Sequence, residues 1–339
     1  MMVSFIVVAY NAEERLRGLL DDLGAQDYEH SKVEVILVDG DSNDGTAEVM
    51  REFACSHDFA RVCVLRNPKR ILACGWNIAL KESQGDVILR VDAHSRIPSD
   101  FVRRNVEGLR KGEKIVGGRR VSLADSATPW SRVLLFAETS PFGSGIAKYR
   151  RSEEPMYVNT LAHAAYAREV FDAVGGYDER LVRTEDNEIH YRMKKAGFRF
   201  FLDPAIKSYH YARSTLSSML RQKFYNGYWI GLTLGVSPGC FSMYHFAPLL
   251  FVLALSACIA LFLRGTTIPL LLLLLLHLAS SVAITLSSLR LHELSGHFLL
   301  LPVLFLLIHV LYGIGTVWGI VSLPRWLRRN AIIAANGVH

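Results

Sequence analysis

The chain has 339 residues, enough for one large domain or two smaller ones with a sizeable core. Its formal net charge is +6, but the basic residues form no stripe interleaved with aromatic side chains, which argues against a nucleic-acid partner. The five cysteines are odd in number and form no C-x-x-C pair, which fits a reducing compartment better than a disulfide framework.

Apolar runs rich in valine and isoleucine alternate with helix-like segments over roughly the first third of the chain. The pattern predicts strands at 3–9, 33–39, 61–65, 86–92 and 114–118, and helices at 13–23, 46–54, 73–83 and 101–110. No positive region precedes the first apolar run, so it is predicted to be a strand and not a secretory signal. This alternation predicts an α/β fold with a mostly parallel sheet, helices on both faces, and ligands beyond the carboxyl ends of the strands.

The second predicted strand ends in an acidic turn, ILVDGDSNDGT, at residues 36–46. A calcium-binding EF-hand is excluded, because its turn glycine is replaced by Asp44 and its final glutamate by Met50. A solvated turn remains the simple alternative. The chain contains no G-x-G-x-x-G after the first strand and no P-loop, which argues against a dinucleotide oxidoreductase and a P-loop ATPase.

Another predicted strand, VILRVDAHS at 87–95, ends with Asp92 and His94 two positions apart. In extended backbone the two side chains point the same way, so both can reach one cation. A carboxylate with an imidazole suits Mn²⁺ or Mg²⁺ when phosphate oxygens fill the remaining positions. A histidine with a purely structural role is the alternative.

A third acidic group lies in the stretch RTEDNEIHYR. Thr184 is predicted to cap a helix whose first turn holds Glu185 and Asp186, which the helix dipole favours even without catalysis. Glu188 and Arg192 form an i, i+4 pair, whereas Asp186 has no lysine or arginine four positions on. Asp186 is therefore predicted to be free of a salt bridge and available as a general base.

The C-terminal part is apolar. Three segments are long enough to cross a bilayer, at 243–263, 267–286 and 297–321. We therefore predict a catalytic domain at 1–230 facing the cytosol and a membrane region at 231–339, in the cytoplasmic (inner) membrane as a multi-pass protein. The basic stretch RWLRRN at 325–330 follows the third segment, and its charge disfavours a location outside the cell. The number of full membrane crossings therefore stays open.

Four stretches together resemble one family: AYNAEE, VDGDSNDGT, NPKRILACGWNIALKESQGDVILRVDAHS and GGYDERLVRTEDNE. Their order and spacing, over roughly residues 3–230, resemble family 2 inverting glycosyltransferases, which have the GT-A fold. Within that family the chain looks most like bacterial exopolysaccharide glycosyltransferases of the succinoglycan glucosyltransferase type. The D-x-H form and the membrane C-terminus carry this narrower resemblance.

The resemblance implies a role for each matching residue. It places in the nucleotide-sugar pocket Ala9, Tyr10, Asn11, Glu13, Asp39, Asp41, Arg70 and Asp92. It assigns the divalent cation, Mn²⁺ or Mg²⁺, to Asp92 and His94, with His210 as a candidate further ligand. It assigns the general base to the pair Glu185–Asp186, with Asp186 taking the proton.

Three departures from the family pattern matter. Many members have D-D-G-S where this chain has Asp39-Gly40-Asp41, which leaves the role of Asp41 open. His94 stands where most members have aspartate. The Q-x-x-R-W motif of processive relatives is absent from RQKFYNGYW at 221–229, which favours transfer of a single sugar.

The expected function is a membrane-bound inverting glycosyltransferase of exopolysaccharide biosynthesis. It would move one sugar, glucose from UDP-glucose by resemblance, onto a lipid-linked, undecaprenyl-type saccharide. One alternative is a polyprenyl-phosphate glycosyltransferase. Another is a non-catalytic nucleotide-sugar-binding subunit of a polysaccharide export assembly, although such a subunit needs no general base.

Overall fold

The structure, a computed structural model, describes residues 1–143, 145–288 and 296–335. The chain divides into two compact units. The first comprises Met1–Leu123 and Ala147–Tyr211, and the second comprises Ala124–Ile146 and Ala212–His339. The boundary at residue 230 between a catalytic and a membrane domain stays a prediction.

The regular elements are nine strands and eleven α-helices among the described residues. The strands are β1 Val3–Ala9, β2 Val33–Asp39, β3 Arg61–Arg66, β4 Val87–Arg90, β5 Ser95–Arg96, β6 Ile115–Leu123, β7 Met156–Val158, β8 Ala164–Ala167 and β9 Phe200–Tyr211. The helices are α1 Glu13–Gly24, α2 Thr46–Ser56, α3 Leu72–Glu82, α4 Phe101–Arg110, α5 Pro129–Thr139, α6 Arg168–Val174, α7 Glu185–Lys195, α8 Leu216–Thr233, α9 Ala247–Leu263, α10 Ile268–Ser288 and α11 Leu301–Ala335.

The first unit is built on one mixed sheet with the order β3-β2-β1-β4-β8-β6-β9-β5, and β7 pairs with β9. The strands β3, β2, β1 and β4 are mutually parallel, as predicted. Beyond β4 the sheet is mixed, because β8 runs antiparallel to β4 and β6 while β6 and β9 are parallel. The pairing of β6 with β9 changes register between Gly117, which pairs with Leu202, and Arg119, which pairs with Lys207.

Helices cover both faces of this sheet, as predicted. Alternate residues of β1 point to opposite faces, so Phe5 and Val7 pack with α1, α2 and α4, whereas Ile6 and Val8 pack with α3, α6 and α7. All four of these side chains are buried. Continuous burial along β1, β2 and β4 explains why these strands are apolar runs without alternation.

The second unit is helical and contains three helices long and apolar enough to cross a membrane. They are Met243–Leu263, Ile268–Ser287 and Gly296–Ile333. The first two match the prediction closely. The third is 38 residues long and takes in the basic stretch 325–330, with Pro324 inside α11.

Helices α8 and α11 of the second unit pack through glycines on both sides. A Cβ atom at Gly315 would lie 2.1 Å from the carbonyl oxygen of Phe224, and one at Gly319 would lie 2.1 Å from that of Tyr228. On α8, a Cβ at Gly227 would lie 2.0 Å from the carbonyl oxygen of Tyr312. These close backbone approaches permit no side chain, which makes the small-residue faces a requirement of the packing.

Candidate active site

The carboxyl ends of β1, β2 and β3 meet at one edge of the sheet. Ala9 pairs with Asp39, and Asp39 pairs with Arg66. Asp39 is buried, and both of its carboxylate oxygens accept from the backbone N–H of Ser42 at 3.3 Å. Asp92 follows the end of β4, which is parallel to β1, so the acidic groups of the two predicted strand ends lie at the same sheet edge.

The loops after β1 and β2 are bound to each other by side chains. Asn11 accepts from the Asn43 N–H through its Oδ1 at 2.8 Å, while its own N–H donates to Ser42 Oγ at 3.0 Å. Glu13 accepts from the Gly45 N–H at 3.1 Å. Tyr10, which precedes Asn11, is 47% exposed. Asn11 and Glu13 therefore brace the predicted nucleotide pocket, and Tyr10 presents an open aromatic face.

Asp41, whose role the sequence leaves open, joins two arginines at the mouth of this edge. Its carboxylate accepts from Arg66 Nε at 2.9 Å and from Arg70 Nη2 at 2.6 Å. Hydrogen bonds from Arg66 and Arg70 hold the pKa of Asp41 below its ordinary value. The Arg70 guanidinium carbon lies 5.9 Å from the centroid of the Tyr10 ring. Asp41 thus orients Arg70 beside Tyr10.

Four non-glycine residues of the described chain have a positive φ, and all lie in segments that the sequence assigns to the site. They are Asn11 at 47°, Asp41 at 63°, Arg70 at 59° and Thr184 at 68°. Asparagine and aspartate tolerate this left-handed conformation, but arginine and the β-branched threonine are strained in it. Such strain persists where surrounding contacts impose it, and it concentrates at functional sites.

Arg90, at the end of β4, is the main functional candidate that sequence reasoning missed. Its side chain is 3% exposed, and it forms ion pairs with Asp186 and with Asp92, the latter at 3.6 Å. The guanidinium carbon lies 4.4 Å from the centroid of a Trp76 ring, and Nη1 donates to Tyr177 Oη at 3.2 Å. Burial alone would lower the pKa of Arg90, but the Asp186 carboxylate above all holds it well above its ordinary value.

The prediction that Asp186 is free of a salt bridge is wrong. Both of its carboxylate oxygens accept from Arg90, with Nη2 to Oδ2 at 3.2 Å. The prediction considered only partners four residues away on the same helix, whereas Arg90 comes from a strand 96 positions earlier. The predicted pair Glu188–Arg192 is confirmed, with Arg192 Nε 2.7 Å from the Glu188 carboxylate.

The start of α7 differs from the prediction in a second respect. Thr184 is the N-cap residue, but its left-handed backbone leaves the helix without a side-chain cap, and its hydroxyl donates to the Arg183 carbonyl. Glu185 is buried, with 6% exposure. Burial raises the pKa of Glu185 to about 8, and the neighbouring Asp186 carboxylate adds to the effect. Glu185 is thus mostly protonated at neutral pH, whereas the 35% exposed Asp186 faces solvent.

Asp92 is held by a histidine that the sequence did not single out. His163 Nε2 lies 3.3 Å from Asp92 Oδ2, and His163 Nδ1 lies 2.8 Å from Ser208 Oγ. Burial alone would raise the pKa of Asp92, but the hydrogen bond from His163 and the charge of Arg90 hold it well below its ordinary value. Asp92 is therefore ionised, as a role at a cation or a ribose requires.

The two predicted histidine ligands are neighbours. The ring centroids of His94 and His210 are 4.7 Å apart, and His210 pairs with Ser95 across β9 and β5. His210 Nδ1 is buried without a hydrogen-bond partner in the structure. Carboxylate and imidazole donors suit a divalent cation, and an unpartnered nitrogen is what a further ligand would supply. Within the described chain, however, no three His, Cys, Asp or Glu side chains form a ready-made metal group.

Comparison with known proteins bears on the family and the fold. The model of the family described as Glycosyl transferase family 2 matches residues 4–175. The succinoglycan biosynthesis protein ExoA of Rhizobium meliloti (strain 1021) is 34% identical over 214 residues, which are 62% of this chain and 61% of that relative. The match thus spans less than two thirds of the relative's length.

A second relative and one solved structure extend the comparison. The dolichyl N-acetyl-alpha-D-glucosaminyl phosphate 3-beta-D-2,3-diacetamido-2,3-dideoxy-beta-D-glucuronosyltransferase of Methanococcus voltae is 24% identical over 76% of this chain and 81% of its own. The mannosyltransferase PcManGT from Pyrobaculum calidifontis, in complex with GDP-Man and Mn²⁺, superposes with a TM-score of 0.58 at 18% identity, over 93% of this chain and 87% of its own. This likeness confirms the predicted GT-A fold. The protein belongs to glycosyl transferase family 2.

Proposed function

We propose that this protein is a membrane-bound inverting glycosyltransferase of exopolysaccharide biosynthesis. It transfers a single sugar, glucose from UDP-glucose, onto a lipid-linked saccharide of the undecaprenyl type. The family membership and the 34% identity to a succinoglycan biosynthesis protein support this proposal. The second relative is named for transfer onto a dolichyl-linked sugar phosphate, which supports a lipid-linked acceptor.

One observation carries the proposal: the side chain of Arg90 joins Asp92 to Asp186. Asp92 is assigned to the donor side and Asp186 to the proton-accepting side of the reaction. A single buried guanidinium therefore fixes the distance and orientation between the two carboxylates. Transfer requires the donor's anomeric carbon and the acceptor's proton to be held together, which is what such a link provides.

In the proposed mechanism Asp186 takes the proton from the acceptor hydroxyl as that hydroxyl attacks the anomeric carbon. Such a general base contributes about 10²–10⁴-fold to the rate. Attack from the side opposite the leaving group inverts the anomeric centre without a covalent intermediate. Glu185, predicted to share this role, is the weaker candidate because it already carries a proton at neutral pH.

The donor's nucleotide would lie at the strand ends. Asp39 would read the base, while Tyr10 and Arg70 would contact the nucleotide from the open side of the pocket. Asp92 with His94 and His210 would hold Mn²⁺ or Mg²⁺, which when bound supplies a Lewis acid for the departing diphosphate. The Mn²⁺ and GDP-Man in the complex of the solved mannosyltransferase support a cation and a nucleotide sugar here.

The three apolar helices of the second unit support a membrane-bound enzyme. That it lies in the inner membrane with its catalytic domain facing the cytosol is part of the proposal. Its three apolar helices are long enough to cross a bilayer, and a lipid-linked acceptor would be available there. The number of crossings stays open in this proposal, because α11 carries its basic residues at one end.

A transfer assay tests the proposed function. Membranes containing the protein are incubated with radiolabelled UDP-glucose, other labelled nucleotide sugars and a lipid extract, and the labelled product is extracted and identified. Label in a lipid-linked saccharide from UDP-glucose is the expected result. Label on plain undecaprenyl phosphate would favour the polyprenyl-phosphate alternative, and binding of nucleotide sugar without transfer by the intact protein would favour the non-catalytic subunit.

A further inference from the structure

Buried polar atoms without partners gather on one face of the sheet beyond β4. They are Arg120 Nε, Ser122 Oγ, Arg150 Nε and Nη1, and His210 Nδ1. Arg120 pairs with Ser208 and Ser122 with His210 in the register of β6 and β9, so these side chains point to the same face. The short turn Lys148–Arg150 brings Arg150 next to β6. We call Arg120, Ser122 and Arg150 the unpartnered cluster, which lies beside His210.

The two arginines of the unpartnered cluster flank one tyrosine. The guanidinium carbons of Arg120 and Arg150 lie 5.6 Å and 5.8 Å from the centroid of the Tyr149 ring. Burial alone would raise the pKa of Tyr149, but these two cations outweigh burial and hold it below the ordinary value. The local potential is therefore positive, as a site for an anion requires.

The unpartnered cluster lies beside the groups assigned to the reaction. Ser208, the register partner of Arg120, is hydrogen-bonded to His163, which in turn contacts Asp92. A ligand held by the unpartnered cluster would thus lie near Asp92.

Buried guanidinium nitrogens without an acceptor are costly, because each has given up its hydrogen bonds to water. The planar guanidinium of arginine can donate two parallel hydrogen bonds to the oxygens of a phosphate group, and an adjacent hydroxyl can add a further donor. The simplest alternative occupant is water alone, which would satisfy the same nitrogens without any ligand.

We propose that Arg120 and Arg150, with Ser122, form a phosphate-binding subsite of the transferase. This inference rests on the proposed function, because that function supplies the phosphate. The group bound is a phosphate of the donor's diphosphate or the phosphate that links the acceptor to its lipid. Both sources share the same chemistry, and two probes distinguish them.

The test measures binding by the full-length protein in detergent, with UDP as the donor-like probe and farnesyl phosphate as the acceptor-like probe. The variants are Arg120→Gln, Arg150→Gln and Arg150→Lys. The last keeps the positive charge but loses the bidentate guanidinium group. Arg151→Gln is the matched control, because Arg151 is adjacent in sequence and exposed. Thermal unfolding of each variant identifies those that remain folded. If a glutamine variant does not fold, Arg150→Lys is used to test the subsite.

Loss of a charge-assisted hydrogen bond should weaken binding by about tenfold or more for one probe in each glutamine variant. Arg150→Lys should give a smaller loss, and Arg151→Gln should bind both probes as the unchanged protein does. A loss confined to UDP assigns the subsite to the donor, and a loss confined to farnesyl phosphate assigns it to the acceptor lipid.

Unchanged affinity of the folded variants for both probes would overturn the subsite and leave water as the occupant. The same holds if the unchanged protein binds neither probe. These failures remain distinct from failure of the proposed function, which is measured separately as sugar transfer by the unchanged protein. Normal transfer with unaffected probe binding would reject the subsite alone.

Discussion

Removing the charge of Arg90 is the most informative perturbation of the site. The Arg90→Met variant leaves Asp92 and Asp186 without their shared cation, while the methylene volume is largely kept. Breaking a buried ion pair by removing one partner costs about 3–5 kcal/mol. The two carboxylates are 22% and 35% exposed, so water compensates in part. We therefore expect the free energy of unfolding to fall by about 2–4 kcal/mol.

The assay is unfolding of the full-length protein in detergent, followed by heat or denaturant. A loss of this size should lower Tm by about 5–15 °C. The loss of stability in Arg90→Met should depend on pH. In the unchanged protein the lowered pKa of Asp92 gives stability that is present above the unfolded-state pKa and lost as pH falls through the folded value. Arg90→Met removes one of the causes that lower the pKa of Asp92 while His163 remains, so the pKa should rise part of the way back. The loss of stability should therefore be largest at pH 7 and shrink as the pH falls.

Two further variants make the reasoning refutable. Arg90→Lys keeps the charge without the bidentate fork and should lose less stability than Arg90→Met. Asp186→Asn should cost less in the Arg90→Met background than alone, because its ionic partner is already gone. Additive effects within about 0.5 kcal/mol would show that the two residues are not coupled. An Arg90→Met protein as stable as the unchanged one would refute the account.

Three other predictions concern the base, its neighbour and the helical unit. Asp186→Asn should retain binding of the nucleotide sugar and stay folded, yet lose turnover by at least about a hundredfold; near-normal turnover would remove it as the base. Glu185→Gln should stabilise the protein at pH 7 by up to about 3 kcal/mol. Between about pH 4.5 and 8 the raised pKa keeps Glu185 protonated in the folded protein, whereas it is ionised in the unfolded chain, and this difference favours unfolding. The gain in stability of Glu185→Gln should vanish below pH 4. The control Glu188→Gln removes an ion-paired carboxylate and should destabilise the protein. Equal melting curves for the two variants would count against a buried, protonated Glu185. Gly319→Ala should lower Tm, because its Cβ would lie 2.1 Å from the carbonyl oxygen of Tyr228. Gly296→Ala is the control and should leave Tm unchanged, because nothing lies within 4 Å of its Cβ position. Similar melting of the two variants would reject the close packing of α8 on α11.

The local sequence pattern was sufficient to predict most of the strands and helices that carry the site residues. The apolar runs at 3–9 and 33–39 are buried strands with these same bounds, and the helix 101–110 is also as predicted. Buried parallel strands need continuous apolar sequence, and their carboxyl ends place acids such as Asp39 at the sheet edge. The family and the GT-A fold also followed from the motifs.

Contacts distant in sequence could not be predicted in the same way. The ion pair of Asp186 depends on the strand that carries Arg90, which no spacing within α7 reveals. His163 is a single histidine in the run NTLAHAAYA, and nothing in that run connects it with Asp92. The antiparallel insertion of β8 between β4 and β6 explains the second contact, because it pairs Ala164 with Arg90 and so brings His163 close to Asp92. Tertiary pairing, rather than local preference, therefore determines the electrostatics of the site.

The central claim is that the Asp92–Arg90–Asp186 arrangement supports sugar transfer from a nucleotide sugar to a lipid-linked acceptor. The most direct test incubates membranes carrying either the unchanged protein or Asp186→Asn with radiolabelled UDP-glucose and lipid extract. Labelled lipid-linked saccharide is expected with the unchanged protein, and about a hundredfold less with the variant at equal protein level. Equal labelling by both proteins, or no transfer from UDP-glucose by the unchanged protein, would contradict this expectation.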